Sequence, residues 1–497
     1  MPDTINDLLK IVKEYNNKKA DLEKIKQAYE FSDMAHKGQK RKTGDSYIVH
    51  PLATAITLAN MKLDAPTIIA GLLHDVPEDT NFNLIDIEKK FGGEVAGLVM
   101  GITKLSKVKY RGIERYAENL RKMFISIAED VRVVIIKMAD RLNNMQTLSA
   151  LPPQKRKRIS LEVLEIYAPI ASRLGMGQIK GDLEDLAFPY VYPKEWKWFE
   201  KNIIPVYKEK MEEIGRIQEE IQKEFNENRV KVLSMHGRRK HYYSLYLKLL
   251  RPQYDRDITK IYDLVAIRIV VPTVSDCYKI LGIIHKKWKP LPGRIKDYIA
   301  QPKHNNYQSL HTTVFSPSGK VVEFQIRTLE MHEQAEFGIA AHWHFKEGSI
   351  NFFSRLPGFH PKGYNPPKKL KWIHELTEWQ KYVTDSKQYL DSLKIDILKD
   401  IIFVFTPQGD VIELPEDATP VDFAYHIHTE IGNKCTASKI NGQIASLDTQ
   451  LKNGDMVEIM TDKSRKGPNR DWLAFVKTSS AKGKIRSFFL KKSRSQR

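Results

Sequence analysis

The hydrophobic pattern changes period near Lys231, and that change rules out one continuous architecture. Before it, apolar residues recur at three- and four-residue steps, as in Thr67 to Leu73, Glu118 to Ile127 and Ser160 to Arg173, with few strand-like alternations. An amphipathic stretch from about Lys194 to Phe225 closes this helical half. Beyond Lys231, Leu264 to Val271 is a short, β-branched apolar run that stops at Pro272, the pattern of a buried strand. His311 to Phe315 and Val321 to Arg327 flank a Ser-Pro-Ser-Gly turn, which predicts a hairpin. Alternation in its second strand puts Glu323, Gln325 and Arg327 on one face and Val322, Phe324 and Ile326 on the other. Three polar groups therefore point into one space.

A chain of 497 residues also exceeds one ordinary core. The pattern divides it into a helical domain (1–195), a helical linker (196–230), an α+β domain (231–350), a linker with a helix (351–399), a small β unit (400–463) and a basic C-terminal segment (464–497). Leu356 to Pro367 reads as a loop and Lys371 to Tyr389 as a helix. The β unit has strands at Ile401 to Phe405 and Met456 to Met460, around turns at Pro415 and Gly432.

The 80 Lys and Arg against 61 Asp and Glu leave a net charge of +19, which favours polyanionic partners such as nucleotides, RNA or anionic lipid. Basic residues crowd from Arg238 to Lys303 and again from Lys463 to Arg497, so two anion-facing regions are expected. No apolar run reaches the roughly 20 residues of a membrane span, so no membrane partner is expected. Cys277 and Cys435 form no CxxC or paired framework. A reducing cytoplasm follows as the expected location.

Four groups stand out in the helical half: His50 in YIVHP, His74 and Asp75 in HDVPEDT, and Asp140 in KMADRLNNM. Two imidazoles with two carboxylates suit a borderline divalent ion such as Mn²⁺ better than Ca²⁺, with zinc left open. Adjacent His74 and Asp75 lie about 100° apart on a helix and can reach one ion between them. Glu78 and Asp79 follow them by one turn each, where a carboxylate can take a proton from water. Asn144, one turn beyond Asp140, can orient a substrate oxygen, and Arg41 and Lys42 offer charge to phosphate.

This order, H…HD…D, resembles the HD phosphohydrolase superfamily. GQKRKTGDSYIVHP, HDVPEDT and KMADRLNNMQTL narrow the resemblance to the hydrolase domain of the RelA/SpoT homologues. It implies that His50, His74, Asp75 and Asp140 bind manganese and that Glu78 and Asp79 activate water. Arg41, Lys42 and Asn144 would hold the nucleotide, and the reaction would remove the 3′-pyrophosphate of ppGpp or pppGpp. Pro77 departs from the small apolar residue usual between the HD and ED pairs; in a first helical turn it is tolerated.

The α+β segment carries HGRRKHYYSLYLK, IYDLVAIR, PGRIKDYIAQPKHNNYQSLHTTV and VVEFQIRT. Transfer between two nucleotides needs cations for phosphates, carboxylates for Mg²⁺ and a surface for a base. Arg238, Lys240, Lys248, Lys296 and Lys303 supply the first, Asp263 and Glu323 the second, and Tyr307 the third. These motifs resemble the synthetase domain of the same family, whose fold is nucleotidyltransferase-like. The resemblance implies transfer of pyrophosphate from ATP to the 3′-hydroxyl of GDP or GTP. Asp263 and Glu323 would bind Mg²⁺, Glu323 would also draw the hydroxyl proton, and Arg238, Lys240 and Lys248 would engage ATP. Tyr307 would stack on guanine, with Lys296, Lys303, Asn305 and Gln325 completing the acceptor site. Arg294 to Asp297 read RIKD, the basic form resembling bifunctional members, and Asn306 stands where glycine is commoner.

IFVFTPQGDVIELPEDATPVDFAYHIHTEIG resembles the start of a TGS domain, a small β-grasp. That likeness implies tRNA or ribosome contact, to which the basic C-terminal segment would add; His428 itself reads as structural. The implied whole is a multidomain chain with an all-α HD-type hydrolase, an α+β synthetase and a β-grasp TGS domain. Coupling between the two sites is expected, because both running together would cycle ATP. A hydrolase-dominant enzyme and a ribosome- or tRNA-associated binding protein are the alternatives.

Overall fold

The computed structural model describes residues 4–106, 121–126, 128–252, 254–261, 264–302, 307–316, 319, 321–341, 401–452, 454–462, 464, 465 and 467–494. Contacts divide the chain into two units: Met1–Val99 with Ile135–Phe352, and Met100–Val134 with Phe353–Arg497. The loop read over Leu356 to Pro367 and the helix over Lys371 to Tyr389 lie outside the described residues, as does part of the segment Glu118 to Ile127.

The first unit begins with helices α1 (Ile5–Lys13), α2 (Lys19–Ala35), α3 (Val49–Asn60), α4 (Ala65–Leu73), α5 (Val76–Asp79) and α6 (Leu84–Phe91), and α7 (Gly93–Ser106) runs past its boundary at Val99. Thr4 and Asp7 form a capping box on α1, and Asp64 caps α4 with Pro66 in its first turn. Helix α4 is apolar almost all round and packs against α2 and α3. A Cβ on Gly71 would fall 2.5 Å from Leu58 Cδ1, so a larger residue there would force Leu58 to shift or α3 and α4 apart. The four-residue connection after α3 folds α4 back, which brings His50 near the start of α3 beside His74 at the end of α4.

Helix α8 (Val131–Gln146) is followed by α9 (Pro153–Glu162), a π-turn at Val163–Tyr167, and α10 (Ala168–Arg173). Next come α11 (Gly177–Val191), α12 (Pro193–Asn202) and α13 (Ile204–Glu227). The amphipathic stretch from Lys194 is thus two helices, parted at Ile203 because Pro205 occupies the first turn of α13. It is also no free linker. Phe199, Ile203, Tyr207, Ile214, Ile217, Ile221 and Phe225 belong to the same apolar core as the strands that follow.

Those strands are β1 (Ser234–Arg239), β2 (Val265–Val271), β3 (Lys296–Asp297), β4 (Leu310–Phe315) and β5 (Val321–Thr328), in the spatial order β1-β2-β5-β4-β3. Helix α14 (Tyr242–Leu249) follows β1, α15 (Val274–Lys287) follows β2 and α16 (Leu329–Phe337) follows β5. Only β2 and β5 run parallel. Ile267, Ile269, Phe324, Ile326, Leu310 and Val314 face the core with α13 and α15. The pleat therefore sends the alternate residues to the other face. There His236, Arg268, Gln325, His311 and Lys296 form one cross-strand row, and Arg238, Ala266, Glu323 and Thr313 the next.

In the second unit β6 (Ile401–Phe405) pairs with β7 (Val411–Pro415), while β8 (Cys435–Ile440) lies between β9 (Gln443–Ala445) and β10 (Val457–Thr461). Phe405 bridges Met456 in parallel, which links the two ladders. Helices α17 (Pro420–Ile427) and α18 (Thr429–Lys434) complete the β-grasp. His428 caps α18, its Nδ1 accepting from the Glu430 amide at 3.2 Å. The basic C-terminal segment is part of this fold. Trp472, Val476, Ala481 and Ile485 share a core with Val421, Ala424, Tyr425 and Cys435, and helix α19 (Ser479–Arg494) carries the last two of them.

Candidate functional site

His50, His74 and Asp140 bring ligand atoms within 4.8 Å of one another, all three buried. Asp75 joins them: its Oδ1 lies 3.2 Å from His74 Nε2 and its Oδ2 3.5 Å from His50 Nε2. Asp140 Oδ1 stands 3.2 Å from His50 Nε2 and 3.8 Å from His74 Nε2. Four residues from three helical segments thus converge on one point. Each histidine is tied by its other nitrogen, His74 Nδ1 to the Gly71 carbonyl at 2.8 Å and His50 Nδ1 to Asn143 Oδ1 at 2.6 Å. Such bonds fix the tautomer that turns the Nε2 lone pair inward. His74 Nε2 is fully buried without a hydrogen-bond partner, an arrangement that a cation resolves.

Electrostatics agree with that fit. Burial pushes the Asp140 carboxyl up, but the Lys137 ammonium, 2.7 Å from Oδ2, and the hydrogen bond from His50 hold it well below the usual carboxylate range. Asp75 is lowered too, since the charges of His74 and His50 outweigh burial. Two ionised carboxylates therefore face the histidines. Burial opposes charge on His50, yet the Asp140 hydrogen bond raises its imidazole above the ordinary value. The pocket attracts positive charge.

Asn144 donates to Asp140 and accepts from Arg41 Nη2 at 2.8 Å, so those three form a line from cluster to surface. Lys42 is exposed just after Arg41. Helix α4 ends at Leu73 and α5 starts at Val76, so the HD pair occupies a turn rather than a helix interior. Pro77 falls in the first turn of α5 and removes no needed donor. Glu78 and Asp79 are both exposed.

Tyr47 was not legible beforehand. Its hydroxyl lies 2.9 Å from Asp75 Oδ2 and 2.6 Å from Asp79 Oδ2, linking the His/Asp cluster to the exposed Asp79. Burial and then the Asp75 charge raise the phenol far above its ordinary value, which keeps the proton on it. Its ring stacks on His36 at 4.4 Å and lies under the Arg41 guanidinium. Lys137 and Asn143 were missed as well, although their spacing of three from Asp140 on one helix was a signal.

On the polar sheet face Glu323 Oε1 accepts from Gln325 Nε2 at 2.9 Å and lies 3.0 Å from His311 Nδ1. Tyr307 Oη lies 2.9 Å from His311 Nε2. With Nδ1 protonated, one chain runs from the Tyr307 hydroxyl through His311 to the carboxylate. Arg238 stands on β1 in the same row as Glu323. Lys240 lies two residues on, Lys248 is in the last turn of α14 with its ammonium over the Tyr254 ring, and Lys296 is exposed on β3. Asp297 beside it accepts from the amides of Ile299 and Ala300 and from Tyr278, which shapes the RIKD loop.

One expectation needs correction. Arg327 does not open into the same space as Glu323 and Gln325. It is 0% exposed, capped by Glu336 and His332 of α16. Asp263, Lys303 and Asn305 lie outside the described residues.

Comparison with known proteins matches three family descriptions in order. They are an HD domain over residues 28–177, a region found in RelA / SpoT proteins over 237–350, and a TGS domain over 402–461. A GTP pyrophosphokinase of Streptomyces coelicolor is 46% identical over 99% of this chain and 59% of its own length. A guanosine-3′,5′-bis(diphosphate) 3′-pyrophosphohydrolase of Aquifex aeolicus is 45% identical over 98% of the chain and 67% of its own. The bifunctional (p)ppGpp synthase/hydrolase RelA of Mycobacterium tuberculosis is 44% identical over 96% and 64%. The chain therefore spans about three fifths to two thirds of the length of these relatives.

Proposed function

The chain belongs to the RelA/SpoT family, and from that premise we propose that it is a bifunctional alarmone enzyme. One site transfers pyrophosphate from ATP to the 3′-hydroxyl of GDP or GTP, giving ppGpp or pppGpp and AMP. The other hydrolyses these products to GDP or GTP and pyrophosphate. The observation that carries the reading is the convergence of His50, His74, Asp75 and Asp140 in a chain whose sheet separately presents Glu323, Gln325, Tyr307 and Arg238.

For hydrolysis, the two imidazoles and two carboxylates would hold Mn²⁺, which supplies Lewis acidity to water and phosphate oxygens. Glu78 and Asp79, exposed beside the ligand set, take the proton from the attacking water. Tyr47 holds the Asp79 carboxylate toward Asp75. Asn144 fixes Arg41, leaving the rest of its guanidinium and the Lys42 ammonium to meet the nucleotide.

For transfer, Arg238, Lys240 and Lys248 bind the ATP phosphates, and Tyr307 stacks on guanine. Lys296, Lys303, Asn305 and Gln325 hold the acceptor, while Asp263 and Glu323 would hold Mg²⁺. Glu323 takes the 3′-hydroxyl proton as the new oxygen–phosphorus bond forms at the β-phosphorus and the bond to AMP breaks. Gln325 and His311 orient that carboxylate. The TGS unit, with the basic residues of α19 folded against it, would contact tRNA or the ribosome, and the reaction belongs in the cytoplasm.

Nucleotide chromatography tests the reading, first with ATP and GDP under Mg²⁺ and then with ppGpp under Mn²⁺. Asp75→Asn should abolish only hydrolysis and Glu323→Gln only transfer. If either change removes both activities from a folded chain, the division of labour is wrong.

A further inference from the structure

Beside the proposed transfer site lies a charged cluster with no role assigned so far. Arg268 on β2 and Arg327 on β5 share the polar sheet face, two residues out of register on neighbouring strands. They are 6% and 0% exposed. Like charges buried this close repel, and burial removes the water that would soften the repulsion. A single carboxylate oxygen stands between them. Glu336 Oε1 lies 2.9 Å from Arg268 Nη1 and 2.8 Å from Arg327 Nη2. Nε of Arg268 and both Nε and Nη1 of Arg327 are buried without hydrogen-bond partners. Arg327 has a further hold in His332 Nδ1, 2.7 Å from Nη2. Among the described residues, Arg268 has Glu336 alone as its ion-pair partner.

On the transfer reading, Arg268 lies on the face proposed to hold nucleotide. Its cross-strand row contains Gln325, His311 and Lys296, and Arg238 lies on the adjoining strand and the same face. We infer that Glu336 is a positioning residue for the transfer reaction, fixing the Arg268 guanidinium beside Arg238 so that both meet the donor nucleotide. The inference rests on the transfer reading above. Burial alone would raise the Glu336 carboxyl, but the charges of Arg268 and Arg327 draw it down to about 2, so it stays ionised through neutral pH. Helix α16 separates this role from another on its preceding turn, where Glu333 pairs with Lys62 instead.

The test uses the full chain with ATP and GDP under Mg²⁺, scoring AMP, and with ppGpp under Mn²⁺ as the second readout. Glu336→Gln should raise KM for ATP about tenfold and leave ppGpp hydrolysis within about twofold. Glu336→Asp, which keeps the charge but draws it back, should give a smaller rise in the same constant. Glu333→Gln should leave that KM unchanged, because its partner Lys62 belongs to the helical segment and not to the sheet face. In an Arg268→Ala background, Glu336→Gln should add nothing further, as expected of a residue that acts through the arginine. The proposal is overturned if both Glu336 variants keep the original KM, or if the Glu336→Gln and Arg268→Ala effects multiply. Should Glu336→Gln lose hydrolysis through misfolding, Glu336→Asp decides the matter alone. No AMP from the unaltered chain would sink the transfer reading itself, an outcome distinct from a failure of Glu336.

Discussion

Tyr47 shows how much a single hydroxyl can decide. It spans Asp75 and Asp79, so its loss would free the exposed acid from the ligand set. Tyr47→Phe removes hydrogen bonds to charged groups worth about 1.5–3 kcal/mol, which predicts hydrolysis slowed about tenfold or more with transfer intact. Equal loss of both rates would contradict this. A second residue-scale prediction concerns acid. Burial, then the Arg327 charge, press the His332 imidazole from 6.5 down to about 4. Across that window the unfolded chain binds a proton that the folded chain refuses, so stability falls as pH drops from about 6.5 to about 4. Glu336, lowered from 4.5 to about 2, extends the loss further into acid. His332→Gln keeps an acceptor for Arg327 and should flatten the upper part of the curve, read from denaturant midpoints against pH. An unchanged slope there would exclude His332 as the cause.

At the scale of elements, helix α11 ties the helical half to the sheet. Asp185 Oδ1 accepts from the Tyr243 amide at 3.0 Å in the first turn of α14, and Oδ2 lies 3.1 Å from His241 Nδ1. One turn earlier, a Cβ on Gly181 would come 2.2 Å from the His241 ring. Gly181→Ala must therefore push the ring or part the helices, a cost of about 1–3 kcal/mol, visible as a lower urea midpoint. No shift would mean that His241 rotates away freely. The C-terminal helix has a comparable structural role. Asp422 accepts from the amides of Lys477 and Thr478, leading into α19. Deleting 470–494 would strip Trp472, Val476, Ala481 and Ile485 from the core. Full burial of one large apolar side chain is worth about 1.5–3 kcal/mol, so the β-grasp unit should become protease-sensitive. A trimmed unit that resists proteolysis would show the helix to be dispensable.

For the molecule as a whole, the His/Asp cluster and the sheet lie in one compact unit, with α11 packed on α14 and α16. Ligand at one site is therefore expected to bias the other. Measuring both rates across nucleotide titrations checks this, and independent rates would end the idea. Cation binding should also stabilise the fold by mass action. If the proposed Mn²⁺ binds there, a concentration a hundred times its Kd would add about 2.7 kcal/mol, seen as a raised thermal midpoint. Asp140→Asn should lose that gain; an equal rise in the variant would place the ion elsewhere.

The candidates His50, His74, Asp75 and Asp140 could be named from the sequence because H…HD…D requires side-chain types and local order, which a linear chain carries directly. Strand alternation likewise placed Glu323 and Gln325 on a common face, because pleating is local. Sealing of Arg327 was not readable, since it depends on where α16 folds after the strand ends. The segment 196–230 looked like a linker because amphipathicity reveals that a face is buried, not what buries it. Tyr47 meets Asp75 and Glu336 meets Arg268 only because folding brings them together, at separations where spacing carries no information. Local chemistry and periodicity thus determined which groups this chain holds; packing between distant segments decided which of them meet.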